Sequence, residues 1–448
     1  MLFLLMLTVF ATPLAMTAHI ARKVRQSPLR VVDLGTAFIW IVFLYAFLPM
    51  LGIWLARLGI GTLADQRLGN EVPDPSLVLS VGSSYAAFML AFAWAYSRQR
   101  LAHSRNAVIW QVPSSSDMRS IVVLVVVIKL GLLLLRVSFG ADVSDDYISS
   151  YTALRGQPIL IQQLAGLLTA TDFAATVLII VAAVAYAPRL HSLVAVLVVL
   201  QIVLAIAGGG SRSSAFLCAF AFVVARSVYD RRLRAASVAM YGALGLVAFL
   251  LAGLIRAGIE AGEGPLSLQL LQGGEFLALF YNSLDLLDRL GDADFLAVKA
   301  GMYLVDVLRL IPQQITGDLK VDPAAFYVST FYPDYSDAGG GLAFGAIAES
   351  TIGFGWPEAL VRGALLGWLY ASIANRCLSG KLTVVRAFVY VWFVVMSYQA
   401  IRDTTFSTVP RFLMHVLPLL ILLRLTGTLR SAKRVRSIVR PTTRLQRS

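Results

Sequence analysis

RSIVVLVVVIKLGLLLLRVSFGADVSDD, residues 119–146, contains the pattern that decides the fold. Its apolar run, 120–138, has the length that a helix needs to cross a hydrocarbon core of about 30 Å, which takes roughly 20 residues. Arg119 precedes this run, and three aspartates follow it before residue 147. Because basic residues stay on the cytoplasmic side, the run predicts a transmembrane helix whose second end faces outward.

The same pattern recurs along the whole chain, of which 58% is hydrophobic. A segment in lipid must satisfy its backbone amides internally, so each long apolar run predicts a helix. We find eleven such spans: about 2–20, 34–56, 77–97, 120–138, 165–187, 191–207, 213–229, 236–255, 357–375, 384–400 and 411–427. The sequence therefore predicts one polytopic, all-α membrane domain.

Charge fixes the orientation of these spans. The loops after spans 1, 3 and 7 and the C-terminal tail are basic, whereas the alternate loops carry most of the acidic residues. Eleven spans with the N-terminus outside and the C-terminus in the cytoplasm satisfy this asymmetry. The net charge of +13 is then mainly a topology signal, with a basic tail suited to anionic lipid headgroups, and does not indicate a nucleic-acid partner.

The predicted organisation has four parts. Spans 1–8 occupy residues 1–255, an outward insertion occupies 256–340, spans 9–11 occupy 341–428, and a basic tail occupies 429–448. Apolar residues in the insertion recur at steps of three, four or seven, which predicts amphipathic helices over about 266–287 and 295–308. We expect these helices to lie along the outer membrane face and to cover a cavity.

Aromatic rings and carboxylates are clustered in the last part of the insertion. Rings stack on the C–H faces of sugars and carboxylates accept hydroxyl protons, so this stretch is a candidate sugar-binding site; its residues are Tyr327, Tyr332, Asp334 and Tyr335. The alternative is an aromatic belt at the membrane interface, for which tyrosine is equally suited. Two cysteines and four histidines without ligand spacing predict neither a disulfide framework nor a metal site.

Two short motifs lie at predicted outer ends of spans. Span 6 ends in AGGGSRSS, residues 207–214, and span 9 is preceded by AESTIGFG, residues 348–355. A Gly-rich turn with arginine, a large outward loop, and then a glutamate followed by Phe-Gly resembles the Wzy-type oligosaccharide repeat-unit polymerases, which make O-antigen and related exopolysaccharides. The likeness covers most of the chain as architecture but only these two motifs as residues.

The resemblance implies a membrane glycosyltransferase of the GT-C type in the bacterial inner membrane, active on its periplasmic face. Such an enzyme transfers a growing chain from undecaprenyl diphosphate to the sugar of a new lipid-linked repeat unit. It uses no metal or other cofactor. Its partners would be the lipid-linked oligosaccharide, membrane lipids and a protein that regulates chain length.

The predicted outer ends of the spans carry arginines that suit this chemistry. A leaving diphosphate develops negative charge, and a guanidinium binds phosphate oxygens bidentately without losing its own charge. The candidates are Arg136, Arg212, Arg256, Arg309, Arg402 and Arg411. Arg212 and Arg402 are the favoured catalytic pair, since glycines before Arg212 permit close backbone approach; the alternative for each is snorkelling or pairing with an acid.

A base must also deprotonate the acceptor hydroxyl, and the resemblance selects Glu349 for this step. This residue lies in an apolar stretch flanked by glycines, where desolvation disfavours the charged carboxylate; the alternative is a buried structural carboxylate paired with arginine. His415 and the acidic residues Glu275, Asp285 and Asp288 are weaker candidates. We also expect Lys129 to pair with Asp172, and Glu358 with Arg362 on one helix face.

Three other functions fit parts of the pattern. An O-antigen ligase would use similar outward arginines to pass finished polymer to a lipid core. A secondary transporter or a flippase of lipid-linked oligosaccharide would show repeats, broken helices and polar groups at the membrane midplane, of which the sequence shows little. A structural membrane protein of a secretion apparatus is the fourth possibility.

Overall fold

The computed structural model describes residues 1–23, 33–59, 72–100, 109–138, 158–186, 212–229, 275–290, 295–308, 311, 316, 323–337, 342–379, 381–426 and 435–436. Most of these residues are helical. The first helices are α1 (Leu2–Lys23), α2 (Leu34–Arg57), α3 (Pro75–Gln99), α4 (Ser115–Ser138), α5 (Ile159–Tyr186) and α6 (Arg212–Tyr229). Four follow in the predicted insertion: α7 (Glu275–Asp288), α8 (Phe295–Leu308), α9 (Pro323–Phe331) and α10 (Pro333–Asp337).

The remaining helices are α11 (Gly345–Ile352), α12 (Trp356–Leu378), α13 (Val384–Met396), α14 (Gln399–Arg402), α15 (Thr408–His415) and α16 (Leu417–Leu425). Three strands of two or three residues form one small sheet. They are β1 (Ile109–Gln111), β2 (Lys381–Leu382) and β3 (Val435–Arg436), with β1 in the centre. β1 pairs in parallel with β2 and antiparallel with β3.

In the described part of the chain, six helical segments are long and apolar enough to cross a membrane. They are Leu2–Lys23, Leu34–Arg57, Pro75–Gln99, Gln163–Tyr186, Val384–Arg402 and Thr408–Leu425, at the predicted spans 1, 2, 3, 5, 10 and 11. α4 and α12 are of similar length, 24 and 23 residues, at the predicted spans 4 and 9. α6 covers the predicted span 7, whereas spans 6 and 8 lie outside the described residues.

The tightest packing in the described bundle joins α3 to α12. A methyl group at Gly363 would lie 2.3 Å from the carbonyl oxygen of Phe88, and one at Gly367 would lie 2.6 Å from that of Phe92. Glycines four residues apart thus let the two backbones touch, which is how helices in lipid gain dispersion energy. This contact fixes α12, the helix that carries the candidate site at its first turn.

The insertion helices differ in how they meet the bundle. α8 is one-sided as predicted: Val298 and Met302 are buried, whereas Leu304 and Val307 are exposed. α7 is not, because Phe280, Leu284 and even Asp285 are buried and the helix packs against α2, α3 and α11. The expectation that α7 lies along the outer face is therefore wrong. A helix apolar on most of its faces needs partners all round, and the bundle supplies them.

A buried polar cluster ties together the helix ends at the opposite end of α12. Arg100, fully buried, donates from Nε to Asp33 Oδ2 at 3.1 Å and from Nη1 to Asn375 Oδ1 at 2.7 Å. Tyr96 donates to the other oxygen of Asp33. The hydroxyl of Tyr390 accepts from the backbone N–H of Leu34 at 3.0 Å. The cluster thus links α2, α3, α12 and α13 close to the small sheet.

Candidate functional site

The segment before α11 is fixed on the turn that follows α14. The backbone N–H of Phe344 donates to the carbonyl of Arg402 at 3.0 Å, and that of Gly345 donates to the carbonyl of Asp403. Gly345 has a φ of +82°, and a methyl group there would lie 1.5 Å from the carbonyl oxygen of Ile401. Only glycine fits both the backbone conformation and the space, so α11 begins against the 401–403 turn.

This placement brings Glu349 between the start of α12 and the turn that follows α14. Its Oε2 accepts from Arg362 Nη1 at 2.6 Å, from the Thr405 backbone N–H at 3.0 Å and from Thr405 Oγ1 at 2.6 Å. The side chain is fully buried. Three donors on one oxygen stabilise the ionised carboxylate.

Arg362 joins Glu349 to a second carboxylate. Its Nε and Nη2 donate to Glu358 Oε1 at 2.7 and 2.6 Å, and its Nη1 also donates to Thr405 Oγ1 at 2.7 Å. The expected pairing of Glu358 with Arg362 is therefore confirmed. We call these four residues, Glu349, Glu358, Arg362 and Thr405, the Glu349 cluster. Two carboxylates and one guanidinium give the cluster a formal charge of −1.

The glycines of the Gly353-Phe354-Gly355 turn have a local structural reason. A methyl group at Gly353 would lie 1.8 Å from Glu358 Oε2, so the turn closes over this carboxylate only without a side chain. The N–H of Phe354 then donates to Glu358 Oε2 at 3.0 Å. Gly355 has a φ of +71° and directly precedes α12. The second motif thus builds the α12 end of the Glu349 cluster.

Helix α8 of the insertion contacts the same turn. Tyr303 donates from its hydroxyl to Glu358 Oε2 at 2.9 Å, and its ring lies 5.7 Å from the Arg362 guanidinium carbon. Lys299, one turn earlier, donates to the Gly353 carbonyl at 2.6 Å and lies 4.5 Å from the centre of the Phe354 ring. Partial burial, with the bond to Glu358, raises the pKa of Tyr303 to about 12, so the phenol keeps its proton at neutral pH.

Two of the six candidate arginines lie on the segment that contacts Glu349. Arg402 and Arg411 flank Thr405, and Arg411 Nη2 lies 2.7 Å from Asp403 Oδ2. Arg212 begins α6 and Arg136 lies in the last turn of α4, but their side chains are outside the described part of the chain. Arg256 and Arg309 also lie outside the described residues.

The candidate sugar-binding residues fall into two groups. Tyr327 is fully buried, and Tyr327 and Tyr332 both donate to Asp285 Oδ2, which Tyr332 approaches to 2.6 Å. Arg289 pairs with Asp285 at 2.8 Å and lies over the ring of Tyr332. These two tyrosines therefore donate to the buried carboxylate of an ion pair whose arginine is partly exposed, and burial beside Asp285 raises the pKa of Tyr332 to about 12. Asp334 and Tyr335 are exposed and open to a ligand.

Three other polar residues predicted from the sequence make contacts outside the Glu349 cluster. Lys129 pairs with Asp172 at 2.9 Å across α4 and α5, which confirms that expectation. His415 lies in α15, its ring 6.0 Å from that of Trp392. In the described part of the chain, no three histidine, cysteine or acidic side chains are grouped so that they could hold a metal ion.

The sequence predicted a role for Glu349 and, separately, a Glu358–Arg362 pair. It did not predict that Arg362 also bonds Glu349. Thr405, Tyr303 and Lys299 were not singled out. Thr405 lies 56 residues after Glu349, and local spacing cannot show which distant turn will pack against a carboxylate. The one available signal was the surplus of threonines beside Arg402, at residues 404 and 405.

Comparisons with known proteins give no relative: no family model, no curated protein and no solved structure matches this chain.

Proposed function

We propose that this protein is a membrane glycosyltransferase that polymerises oligosaccharide repeat units carried on undecaprenyl diphosphate. It would act at the periplasmic face of the bacterial inner membrane and build O-antigen or a related exopolysaccharide. Arg402 and Arg411, with Arg136, Arg212, Arg256 and Arg309, would bind the lipid diphosphates, and Glu349 would accept the proton of the attacking hydroxyl. No metal takes part in this proposal.

One observation carries the proposal. The glutamate that the resemblance selects contacts Thr405, and Thr405 lies between two of the arginines chosen independently for diphosphate binding. The negative charge of the Glu349 cluster alone would repel a diphosphate, so such a substrate requires cations nearby. Arg402 at the end of α14 and Arg411 in α15 would supply them, with Arg411 exchanging its ion pair with Asp403 for a phosphate. A buried ionised carboxylate whose hydrogen bonds to Arg362 and Thr405 fix its orientation is suited to take the proton of the attacking hydroxyl.

The positions of the Glu349 cluster and the small sheet support the predicted sidedness. β1, β2 and β3 follow the ends of α3, α12 and α16, three chain segments that the charge pattern predicts in the cytoplasm. From Glu358 to Leu378, α12 has 378 − 358 = 20 residue steps, a rise of about 30 Å, which is the thickness of the hydrocarbon core. Phe354 and Trp356 are exposed at the site end, as expected for aromatic residues at an interface.

Polymer length in cells tests the proposal. A strain deleted for this gene would be complemented with wild type, Glu349→Gln or Arg402→Gln at matched protein levels, with Arg376→Gln, an exposed arginine of α12, as the control. We expect the deletion and the first two variants to leave only single repeat units, and wild type and the control to restore long chains. Long chains in the deletion strain would refute the proposal.

Two alternatives give different outcomes in the same strains. Polymer of normal length that stays on its lipid carrier would identify a ligase. A transporter is favoured by one observation: the predicted spans 10 and 11 are broken, at Ser397–Tyr398 and at Val416, and buried polar residues line the first break. Repeat units that accumulate on the cytoplasmic side of the membrane in the deletion strain would identify a flippase.

A further inference from the structure

We propose that Tyr303 of the insertion helix α8 is a positioning residue, which acts through Glu358 and Arg362 to hold Glu349 in its active orientation. This inference rests on the proposed function and assigns a role to the insertion at that same site. We call the chain of side chains Tyr303, Glu358, Arg362 and Glu349 the relay.

Every link of the relay is a hydrogen bond to a charged group. The Tyr303 hydroxyl donates to Glu358 Oε2 at 2.9 Å. Glu358 Oε1 accepts from Arg362 Nε at 2.7 Å, and Arg362 Nη1 donates to Glu349 Oε2 at 2.6 Å. Such bonds are short and directional, so displacement of one member changes the position of the next.

The two oxygens of Glu358 have different partners: Oε1 bonds a residue of α12, and Oε2 bonds α8 and the turn before α12. Oε1 bonds Arg362 within α12, whereas Oε2 accepts from Tyr303 and from the backbone N–H of Phe354. Without the Tyr303 hydroxyl, Oε2 keeps one neutral donor, and the carboxylate is free to rotate toward the guanidinium. Arg362 then shifts toward Glu358 and away from Glu349, because one guanidinium serves both carboxylates.

Among the described side chains of helix α8, Lys299 and Tyr303 make polar contacts with the 353–358 segment. Lys299 and Tyr303 lie one turn apart on the same side of the helix, and both reach the 353–358 segment. On the outer side, Leu304 and Val307 are 55% and 62% exposed. Val298 and Met302 are buried on the other side of the helix, so α8 docks by apolar packing, and its two polar contacts place Tyr303 against Glu358. Docked α8 completes the relay, and undocked α8 leaves Glu349 without its fixed orientation.

The relay also shields Arg362. The Tyr303 ring lies 5.7 Å from the guanidinium carbon, and the arginine side chain is only 8% exposed. A lipid diphosphate that reached Arg362 would therefore have to displace α8. The docked state is thus the one in which Glu349 is positioned and Arg362 is not bound to phosphate.

The test uses the full-length protein in liposomes with lipid-linked repeat units extracted from the deletion strain. Tyr303→Phe removes only the hydroxyl and keeps the ring over Arg362. Tyr186→Phe is the matched control, since it removes a hydroxyl that makes one bond, to Ser115, at the other end of the bundle. We measure the polymerisation rate as a function of the density of lipid-linked repeat units in the liposome membrane. We also measure the midpoint temperature of thermal unfolding of each variant.

We expect Tyr303→Phe to lower kcat about tenfold and to leave KM within about twofold, because the lost bond orients a reacting group and does not bind substrate. Its thermal midpoint should equal that of Tyr186→Phe. Lys299→Met, which removes the second attachment of α8, should lower kcat in the same way. A purely structural tyrosine would lower the midpoint and the amount of folded protein without this kcat-specific loss.

Three results overturn the inference. Equal kcat in Tyr303→Phe and Tyr186→Phe shows that the hydroxyl does not position Glu349. A rise in KM with unchanged kcat shows that Tyr303 binds substrate directly. Wild-type kcat in Lys299→Met shows that α8 docking does not matter. Wild type and Glu349→Gln separate this failure from that of the proposed function. If wild type polymerises and Glu349→Gln does not, the function stands. If wild type leaves the repeat units single, the function fails.

Discussion

At the scale of single residues, burial decides what Glu349 and Arg362 do for the protein. Both side chains are at most 8% exposed and share one ion pair at 2.6 Å. Removing one partner of such a pair leaves an uncompensated buried charge, which costs more than the pair itself contributes. Stability and activity at this site are therefore linked, and a variant must be judged on both.

Arg362→Gln should destabilise the protein by about 3–5 kcal/mol, because it strands Glu349 and Glu358 without their cation. The control is Arg376→Gln, an exposed arginine on the same helix, which should change stability by less than about 0.5 kcal/mol. Reversible unfolding in detergent with increasing SDS measures both. The double variant Glu349→Gln/Arg362→Gln should recover part of the loss, and additive losses would contradict a direct pair.

The raised pKa values of Tyr303 and Tyr332 predict that the insertion loses folding stability at high pH. Both have pKa values raised from 10 to about 12 by burial and a carboxylate partner. A folded pKa above the unfolded value gives stability that is present below pH 10 and is lost as the pH rises to 12. The thermal midpoint should fall across this window, and Tyr332→Phe should flatten the fall. A fall equally steep in Tyr332→Phe would contradict this assignment.

At the scale of elements, the α3–α12 contact sets the position of the Glu349 cluster. Glycines at 363 and 367 allow backbone contact, and the aromatic rings of Phe38, Phe92 and Tyr370 pack beside it, with Phe38 4.7 Å from Phe92 and 5.2 Å from Tyr370. The sequence predicted α12 as a span, but it did not predict α3 as its partner. Apolar periodicity predicts the length of a helix. It does not predict which neighbouring helix packs against its glycines.

Gly363→Ala and Gly367→Ala should each lower stability by about 1–3 kcal/mol, the range for overpacking in a dense core. Gly166→Ala on α5 is the control, because a methyl group there meets nothing within 4 Å. SDS-unfolding free energies compare the three. Equal stability of all variants would show that α3 and α12 are not in backbone contact.

The helices of the insertion show where sequence reasoning succeeded and where it failed. The sequence predicted an amphipathic helix in this part of the insertion, and α8, Phe295–Leu308, is helical there with the predicted apolar residues Val298 and Met302 buried. α7 was expected on the outer face, yet Asn282, Ser283 and Asp285 are buried with its leucines. Polar residues with hydrogen-bond partners can be buried, and those partners lie elsewhere in the sequence.

At the scale of the whole molecule, the account requires the Glu349 cluster and the small sheet to face opposite sides of a membrane. Charge asymmetry predicts that the chain segments at these two places lie on opposite sides of the membrane, although the sequence did not predict the sheet itself. The contacts within the cluster could not be predicted in that way, since Glu349, Tyr303 and Thr405 come from three separate parts of the chain. Long-range packing brings these residues together, and no local sequence pattern predicts such contacts.

Single cysteines test this sidedness. Ser329→Cys lies on α9 of the insertion and Ser379→Cys follows α12 near the sheet, and both positions are exposed. In a background with Cys218 and Cys377 replaced by serine, a membrane-impermeant maleimide should label position 329 in cells with a permeable outer membrane. Position 379 should react only after the inner membrane is opened. The reverse pattern would invert the predicted topology.

The most direct measurement of the central claim uses the purified protein alone. Wild-type protein in liposomes would receive lipid-linked repeat units extracted from the deletion strain, with no other protein and with a chelator present. We predict a ladder of chains that lengthens with time, with release of undecaprenyl diphosphate, and no ladder with Glu349→Gln. Repeat units that remain single with folded wild-type protein would contradict the claim that this protein is a polymerase.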